Sequence, residues 1–234
     1  MMAISAAWNG KVGGQSASWL APRCIACALY PGAPLCSGCE HDFFPSDAVR
    51  CRRCALRLIS PVAEQCGACL TEPPQFDSTA TLADYAPPVS GMVAALKFSA
   101  RLDLADAFAR LLTARETQRP DMVIAVPLSF ERESERGFNQ SLEIGRVYAR
   151  LTGAPLAERA LLKVRHTAPQ QSLARDARRS NVRNAYSVTG EIRDRIVAIV
   201  DDVMTTGSTL DEIARVLKRA GAAQVINRVV ARTP

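Results

Sequence analysis

Ile196-Val197-Ala198-Ile199-Val200-Asp201-Asp202-Val203-Met204-Thr205-Thr206-Gly207-Ser208-Thr209 is the stretch whose reading decides the fold. Ile196 to Val200 is an unbroken apolar run, the pattern of a strand buried on both faces. At its carboxyl end come two acids, then a cluster of small hydroxyl residues around Gly207, then a helix predicted over Thr209 to Ala220. In that helix Leu210, Ile213, Ala214 and Leu217 fall at i, i+3, i+4 and i+7 and make one apolar stripe, with Gly221 as the stop. In open α/β sheets, ligands bind outside the carboxyl ends of the strands. A loop leading into a helix N-terminus offers backbone N–H groups and hydroxyls to a phosphate at the positive end of the dipole, and Gly207 permits close backbone approach. Asp201 and Asp202 would repel a phosphate, so they suit the hydroxyls of a sugar one step along the ligand. The competing reading, a capping acid pair followed by an ordinary turn, leaves the strand–loop–helix setting unexplained.

Outward from this stretch, further strands are predicted at Thr79–Tyr85, Met122–Val126 and Gln224–Val230. Helices are predicted at Val89–Phe98, Leu102–Ala114 and Phe138–Thr152. The alternation predicts an α/β domain with a parallel sheet over residues 75–234. The chain of 234 residues is 48% hydrophobic, ample for a packed core, and no apolar run approaches the roughly 18 to 20 residues of a membrane span. Lys11 and Gly13-Gly14 break up the start of the sequence, so residues 1–21 are expected to be a disordered leader rather than a signal peptide, and the protein is expected in the cytoplasm, without membrane insertion. The net charge of +6 is uneven: Arg159, Lys163, Arg165, Arg175, Arg178, Arg179 and Arg183 are opposed within their span only by Asp176. Such a block favours polyanions, although a solvated basic face would look the same.

All eight cysteines lie before the α/β half, as Cys24-x-x-Cys27, Cys36-x-x-Cys39, Cys51-x-x-Cys54 and Cys66-x-x-Cys69, with Pro73-Pro74 as a stop beyond them. Two intervening residues let both thiolates turn toward one ion, and two such pairs complete a tetrahedral shell, so residues 22–74 are read as a double zinc-ribbon-like module holding two structural Zn²⁺ ions. Disulfides suit secreted chains, and a thioredoxin-like role suits one pair rather than four. Spacing leaves sequential and interleaved pairing both open. His41 is read as an ordinary surface residue, since the eight thiols already fill two shells.

Asp201 to Thr209 resembles the phosphoribosyl pyrophosphate motif of type I phosphoribosyltransferases. From Cys24 to Arg232 the chain resembles the ComF family, which joins an N-terminal cysteine zinc module to such a domain. The resemblance is carried by Tyr85, Leu96-Lys97-Phe98, Val126-Pro127-Leu128-Ser129, Arg136-Gly137-Phe138-Asn139-Gln140, and by Thr167, Gln170, Leu173, Arg178 and Asn181. Tyr186, where the family more often has Phe, is a mild departure. The resemblance implies a Rossmann-like type I phosphoribosyltransferase fold that binds phosphoribosyl pyrophosphate with Mg²⁺ and transfers the phosphoribosyl group to an unknown acceptor. It also implies a part in natural competence, with single-stranded DNA and proteins of the uptake machinery as partners. Asp201 and Asp202 would hold the ribose hydroxyls, Thr205, Thr206, Gly207, Ser208 and Thr209 the 5′-phosphate, and the turn at Pro127 and Leu128 the pyrophosphate. Arg136 is the candidate contact to the leaving group, and Asn139 a cap or ligand contact. Gln170, Arg178 and Asn181 would sit on a mobile loop closing over the site, while Lys97 reads equally as a solvated helix end. The alternative is a non-enzymatic factor that binds DNA or a partner, but few aromatic residues interleave with the arginines of the basic block.

Overall fold

A computed structural model describes residues 23–29, 33–164 and 182–234. The predicted leader and Gln170, Arg178 and Asn181 lie outside them. Two short helices, α1 (Ser37–Phe43) and α2 (Gly67–Thr71), each begin inside a cysteine knuckle and carry its second cysteine, Cys39 and Cys69. Next come β1 (Ser78–Asp84), α3 (Val89–Phe98), α4 (Asp103–Ala114) and β2 (Met122–Ala125), then α5 (Phe130–Arg136) and α6 (Gln140–Thr152). A hairpin of β3 (Leu161–Lys163) and β4 (Tyr186–Val188) precedes β5 (Ile196–Met204), α7 (Ser208–Arg219) and β6 (Gln224–Arg232).

The main sheet has the order β1-β6-β5-β2 and every pair in it is parallel. Its apolar runs are continuous because alternate residues enter two separate cores. Ala198 and Val200 of β5 face the core of α3, α4 and α6, with Leu96, Phe108 and Tyr148, whereas Val197 and Ile199 face the core under α7. The stripe read from the sequence is the buried face of α7: Leu210, Ile213, Ala214 and Leu217 all fall at 1% exposure or less. Leu210, Ile213 and Leu217 each contribute about 1.5–3 kcal/mol on leaving water, and Ala214 less.

The structure corrects the length of the decisive strand. β5 does not stop at Val200 but runs to Met204, because β6 continues to pair with it through Asp201↔Val229 and Met204↔Arg232. The two acids are therefore strand residues, and the loop proper is confined to Thr205–Gly207. Likewise α6 begins at Gln140 rather than Phe138, since Asn139 takes the N-cap position and its side chain accepts from the Ser141 and Leu142 N–H groups.

Beneath α4 and α6 lies a polar network. Glu116 accepts from Arg228 Nε at 2.7 Å and also, in closer contacts, from Arg228 Nη2 and the Tyr148 hydroxyl. Burial raises the Glu116 carboxyl, but the Arg228 guanidinium beside it outweighs that and holds it below the ordinary range.

Candidate functional site

The carboxyl edge of β5 and β2 gathers most of the residues singled out above. Ser141, in the first turn of α6, donates its hydroxyl to Asp201 Oδ1 at 2.9 Å, and the Asp202 N–H donates to the same oxygen at 2.9 Å. Burial pushes the Asp201 carboxyl up to about 7 from its ordinary 3.8, and the neighbouring Asp202 charge adds to the rise, while Ser141 and Lys97 oppose it. Asp202 is buried, and the Lys97 ammonium at the end of α3 stands 2.7 Å from its Oδ2. That oxygen has no aligned hydrogen-bond donor, so the contact is one of charge. Lys97 is thus no solvated helix end: its side chain is 18% exposed and belongs to the acid pair. Nothing local in the sequence points to this pairing, since it joins α3 to β5 across the sheet edge.

The Arg136–Gln140 signature is built around this edge. Asn139 Nδ2 donates to the Val126 carbonyl at 3.0 Å, tying the cap of α6 to the end of β2, where Pro127 and Leu128 follow. Gln140 Oε1 accepts from Arg136 Nη1 at 2.9 Å, and the same guanidinium lies 5.1 Å from the centroid of Phe98, next to Lys97. Arg136 is therefore held at the rim by α6 and α3. Phe138 packs partly buried against the α3–α4–α6 core. Sequence reasoning misses Ser141; the signal available is a hydroxyl two residues after a capping Asn.

The loop between β5 and α7 has the shape its composition implies. Gly207 takes φ +82° as the N-cap of α7. A Cβ added there would lie 2.5 Å from Met204 Cε, with the Phe76 ring 3.9 Å away. Thr206 Oγ1 and Ser208 Oγ are 2.8 Å apart, and the Asp211 N–H closes on the Gly207 carbonyl at 2.8 Å. Thr205 is exposed, Thr206 and Thr209 are half-buried, and Ser208 is buried. Under this loop opens a cavity of about 580 Å³ whose lining includes Cys66, Cys69, Phe76, Gly207 and Arg232.

The cysteines gather as two tetrads, Cys24/Cys27/Cys36/Cys39 and Cys51/Cys54/Cys66/Cys69, the sequential pairing. Within each, the four Sγ atoms lie within 4.8 Å of one another; Cys27–Cys36 and Cys54–Cys66 measure 3.9 and 3.6 Å. An ion about 2.3 Å from four tetrahedral sulfurs needs S···S separations of about 3.8 Å, so each tetrad fits a metal of the zinc type. Burial alone would raise the Cys24 thiol, but N–H groups of Cys27, Cys36 and Ala26 outweigh it and bring the thiol down to about 6. Cys51 is brought to about 7 in the same way by Cys54, Cys66 and Arg53. The first knuckle of each tetrad, Cys24–Cys27 and Cys51–Cys54, is followed by an alanine in the left-handed region, Ala28 at φ 57° and Ala55 at φ 59°. The tetrads do not share a core. Cys24 and Cys39 belong to the α3–α4–α6 side, and the second tetrad belongs to the α7 side, together with Met204 and Phe76.

The profile of the phosphoribosyl transferase domain matches residues 104–234, more than half of the chain. The DNA utilization protein YhgH of Escherichia coli O157:H7 is 40% identical over 199 residues, 82% of this chain and 87% of that protein. Competence protein F of Haemophilus influenzae is 34% identical over 204 residues, again 82% of this chain and 87% of that one. Among solved structures, the glutamine phosphoribosylpyrophosphate amidotransferase from B. subtilis, complexed with ADP and GMP, superposes with a TM-score of 0.42 at 23% identity, over 58% of this chain and 30% of that one. A match over 82% of the chain is longer than the span 104–234 and so reaches into the residues ahead of the domain. On that breadth of likeness, the chain belongs to the ComF family of phosphoribosyltransferase-domain proteins.

Proposed function

We propose that the chain binds phosphoribosyl pyrophosphate at the carboxyl edge of β5 and transfers its phosphoribosyl group to an acceptor that no motif identifies. The observation that carries this reading is the adjacent acid pair on β5, followed within five residues by a left-handed glycine that caps α7. The loop Thr205–Thr209 would hold the 5′-phosphate through N–H groups and hydroxyls, and Asp201 and Asp202 would accept from the ribose hydroxyls. The turn at Pro127 and Leu128 and the Arg136 guanidinium would face the departing pyrophosphate. In that transfer the bond from C1 to the pyrophosphate oxygen breaks, an oxocarbenium-like centre develops, and an acceptor lone pair closes on C1. Catalysis would rest on positioning and on stabilising the departing charge.

Mg²⁺ is expected to come with the pyrophosphate and to neutralise part of its charge. The donors present fit a hard cation: two adjacent carboxyls near the strand end, one of them raised by burial and by the charge of the other, hold a repulsion that a divalent cation would relieve beyond what Lys97 already offsets at Asp202 Oδ2. Two structural Zn²⁺ ions are assigned to the tetrads, and reduced thiol clusters of this kind accord with a cytoplasmic protein.

The names of the relatives support a part in handling DNA, and the second reading makes that part non-enzymatic. The arginines of the cysteine module give it little help. Arg50 and Arg57 are held by Asp84 at 2.6 and 3.1 Å, Arg53 donates to the Phe76 carbonyl at 2.7 Å, and Arg52 pairs with Glu64 at 3.1 Å. Arg50, Arg53 and Arg57 fasten the module to the domain, whereas the Arg52–Glu64 pair is exposed within the module, so a DNA contact there would fall to Arg52 or to residues elsewhere. The deciding experiment is calorimetric titration of metal-loaded protein with phosphoribosyl pyrophosphate and Mg²⁺, beside the Asp201→Asn/Asp202→Asn double variant. Saturable binding lost in the variant supports the proposal and opens a search for acceptors by pyrophosphate release. Absence of binding by folded wild type sinks it and moves the weight to the DNA reading.

A further inference from the structure

The last residue of β6 is a cation buried where a loop, a strand end and a cysteine knuckle meet. Arg232 is 8% exposed. Its Nε donates to the Cys54 carbonyl at 3.0 Å, and its Nη1 reaches the Met204 carbonyl at 3.3 Å and, more closely, the carbonyls of Thr205 and Thr233. Its described contacts are all carbonyl oxygens, so the guanidinium sits where those dipoles converge. One of them belongs to a ligand of the second tetrad, and two belong to the entry of the β5–α7 loop.

Two further links join the same parts. Met204 and Phe76 share the apolar cluster of Cys51, Cys54, Cys66 and Cys69, and both lie against Gly207 from below. The segment after α2 delivers the Gln75 N–H to Asp211 Oδ1 at 2.6 Å, in the first turn of α7. The first tetrad has a different anchorage. Cys24 and Cys39 pack in the core of Phe108 and Leu82, and the neighbouring Phe44 carbonyl is held by Arg115, which also donates to the Thr81 and Leu82 carbonyls at 3.0 and 2.9 Å.

We infer that Arg232 is a positioning residue that makes the conformation of the Thr205–Ser208 loop depend on the second tetrad and not on the first. An ion gathers the four thiols, the gathered knuckle fixes the Cys54 carbonyl, and that carbonyl helps fix the guanidinium that holds Met204 and Thr205. Emptying the second tetrad then loosens the loop, while emptying the first leaves the loop in place. The consequence for ligand affinity rests on the reading that this loop binds the 5′-phosphate; the consequence for loop order does not.

The test uses the full chain loaded with zinc, with deuterium exchange followed peptide by peptide and metal content measured alongside. Arg232→Met is expected to retain both ions, to exchange at residues 203–210 at least about tenfold faster, and to leave the α4 and α6 peptides unchanged. Arg232→Lys, which keeps the charge but not the fork, is expected to fall between. Cys66→Ser is expected to reproduce the loosening of 203–210, and Cys36→Ser to leave that peptide as in wild type. Affinity for phosphoribosyl pyrophosphate is expected to drop about tenfold in Arg232→Met. Unaltered exchange at 203–210 in Arg232→Met, or equal loosening by Cys36→Ser and Cys66→Ser, overturns the inference. Should Cys66→Ser fail to fold, unaltered exchange in Arg232→Met or loosening of 203–210 by Cys36→Ser still overturns the inference. If wild type binds no phosphoribosyl pyrophosphate, the proposed function fails, and the exchange measurements still judge the coupling.

Discussion

Asp201→Asn should make the ligand-free protein more stable at pH 8, by an amount that shrinks as the pH falls. The Asp201 carboxyl stands at about 7 in the folded protein against an ordinary 3.8. Between those values the folded state holds a proton that the unfolded chain has released, so the free energy of unfolding falls as pH rises through that window and levels off above it. A rise of that size sets a ceiling of about 4 kcal/mol on the penalty at pH 8. Asp201 is only half-buried, and solvent screening at the cleft cuts the expected gain to about 2 kcal/mol. By the same titration, about half of that gain should remain at pH 5.5. The substitution keeps the other contacts, since an amide oxygen can still accept from the Ser141 hydroxyl and the Asp202 N–H. Urea unfolding followed by far-ultraviolet circular dichroism, on metal-loaded protein at pH 8 and pH 5.5, reads the difference directly. A variant no more stable than wild type at pH 8, or a gap equal at the two pH values, would refute the reasoning. The same group predicts that ligand affinity rises with pH through neutrality, because ribose hydroxyls and a divalent cation both favour the ionised carboxylate.

Lys97→Met leaves the buried Asp202 carboxylate without its counter-charge and removes one influence that holds Asp201 down, so the same urea assay should show a loss of about 2–4 kcal/mol. Gly207→Ala sets an alanine at φ +82° with its Cβ against Met204, and should cost about 1–3 kcal/mol in melting experiments while weakening phosphate binding. Denaturing the protein in a chromogenic chelator should release two zinc equivalents per chain, and chelation under native conditions should lower the melting temperature; a yield of one equivalent would show that one tetrad is not a metal site.

How far the sequence alone reaches depends on whether a feature is local. The strand–loop–helix around Gly207 and the stripe of α7 are legible because their residues are neighbours along the chain. The extent of β5 is not: carboxylates are poor strand residues, and Asp201 and Asp202 stay in the sheet because β6 supplies partners as far as Arg232. Helix α5 reads as a charged run because all its side chains but Arg136 are exposed, leaving no apolar period to detect. The strands β3 and β4 are three residues each and pair across an intervening basic stretch, too short to alternate visibly. The four Cys-x-x-Cys knuckles announce themselves, but their sequential pairing and their division between two cores depend on the domain they dock against. Lys97 and Ser141 escape for the same reason, since each is ordinary on its own helix and acquires its meaning from β5.

The contact between Cys54 and Arg232 spans 178 residues, and β1 likewise finds its parallel partner only in β6. During synthesis at about 5–20 residues per second, the Cys51–Cys54 knuckle therefore waits roughly 9 to 36 s for Arg232, and the first strand roughly 7 to 30 s for its partners in β6. A metal captured early would keep the nascent knuckles compact on the ribosome through that interval, while β1 remains an unsatisfied edge open to chaperones or to another chain. Yield in a cell should then respond to zinc supply and elongation speed as much as to the stability of the finished fold.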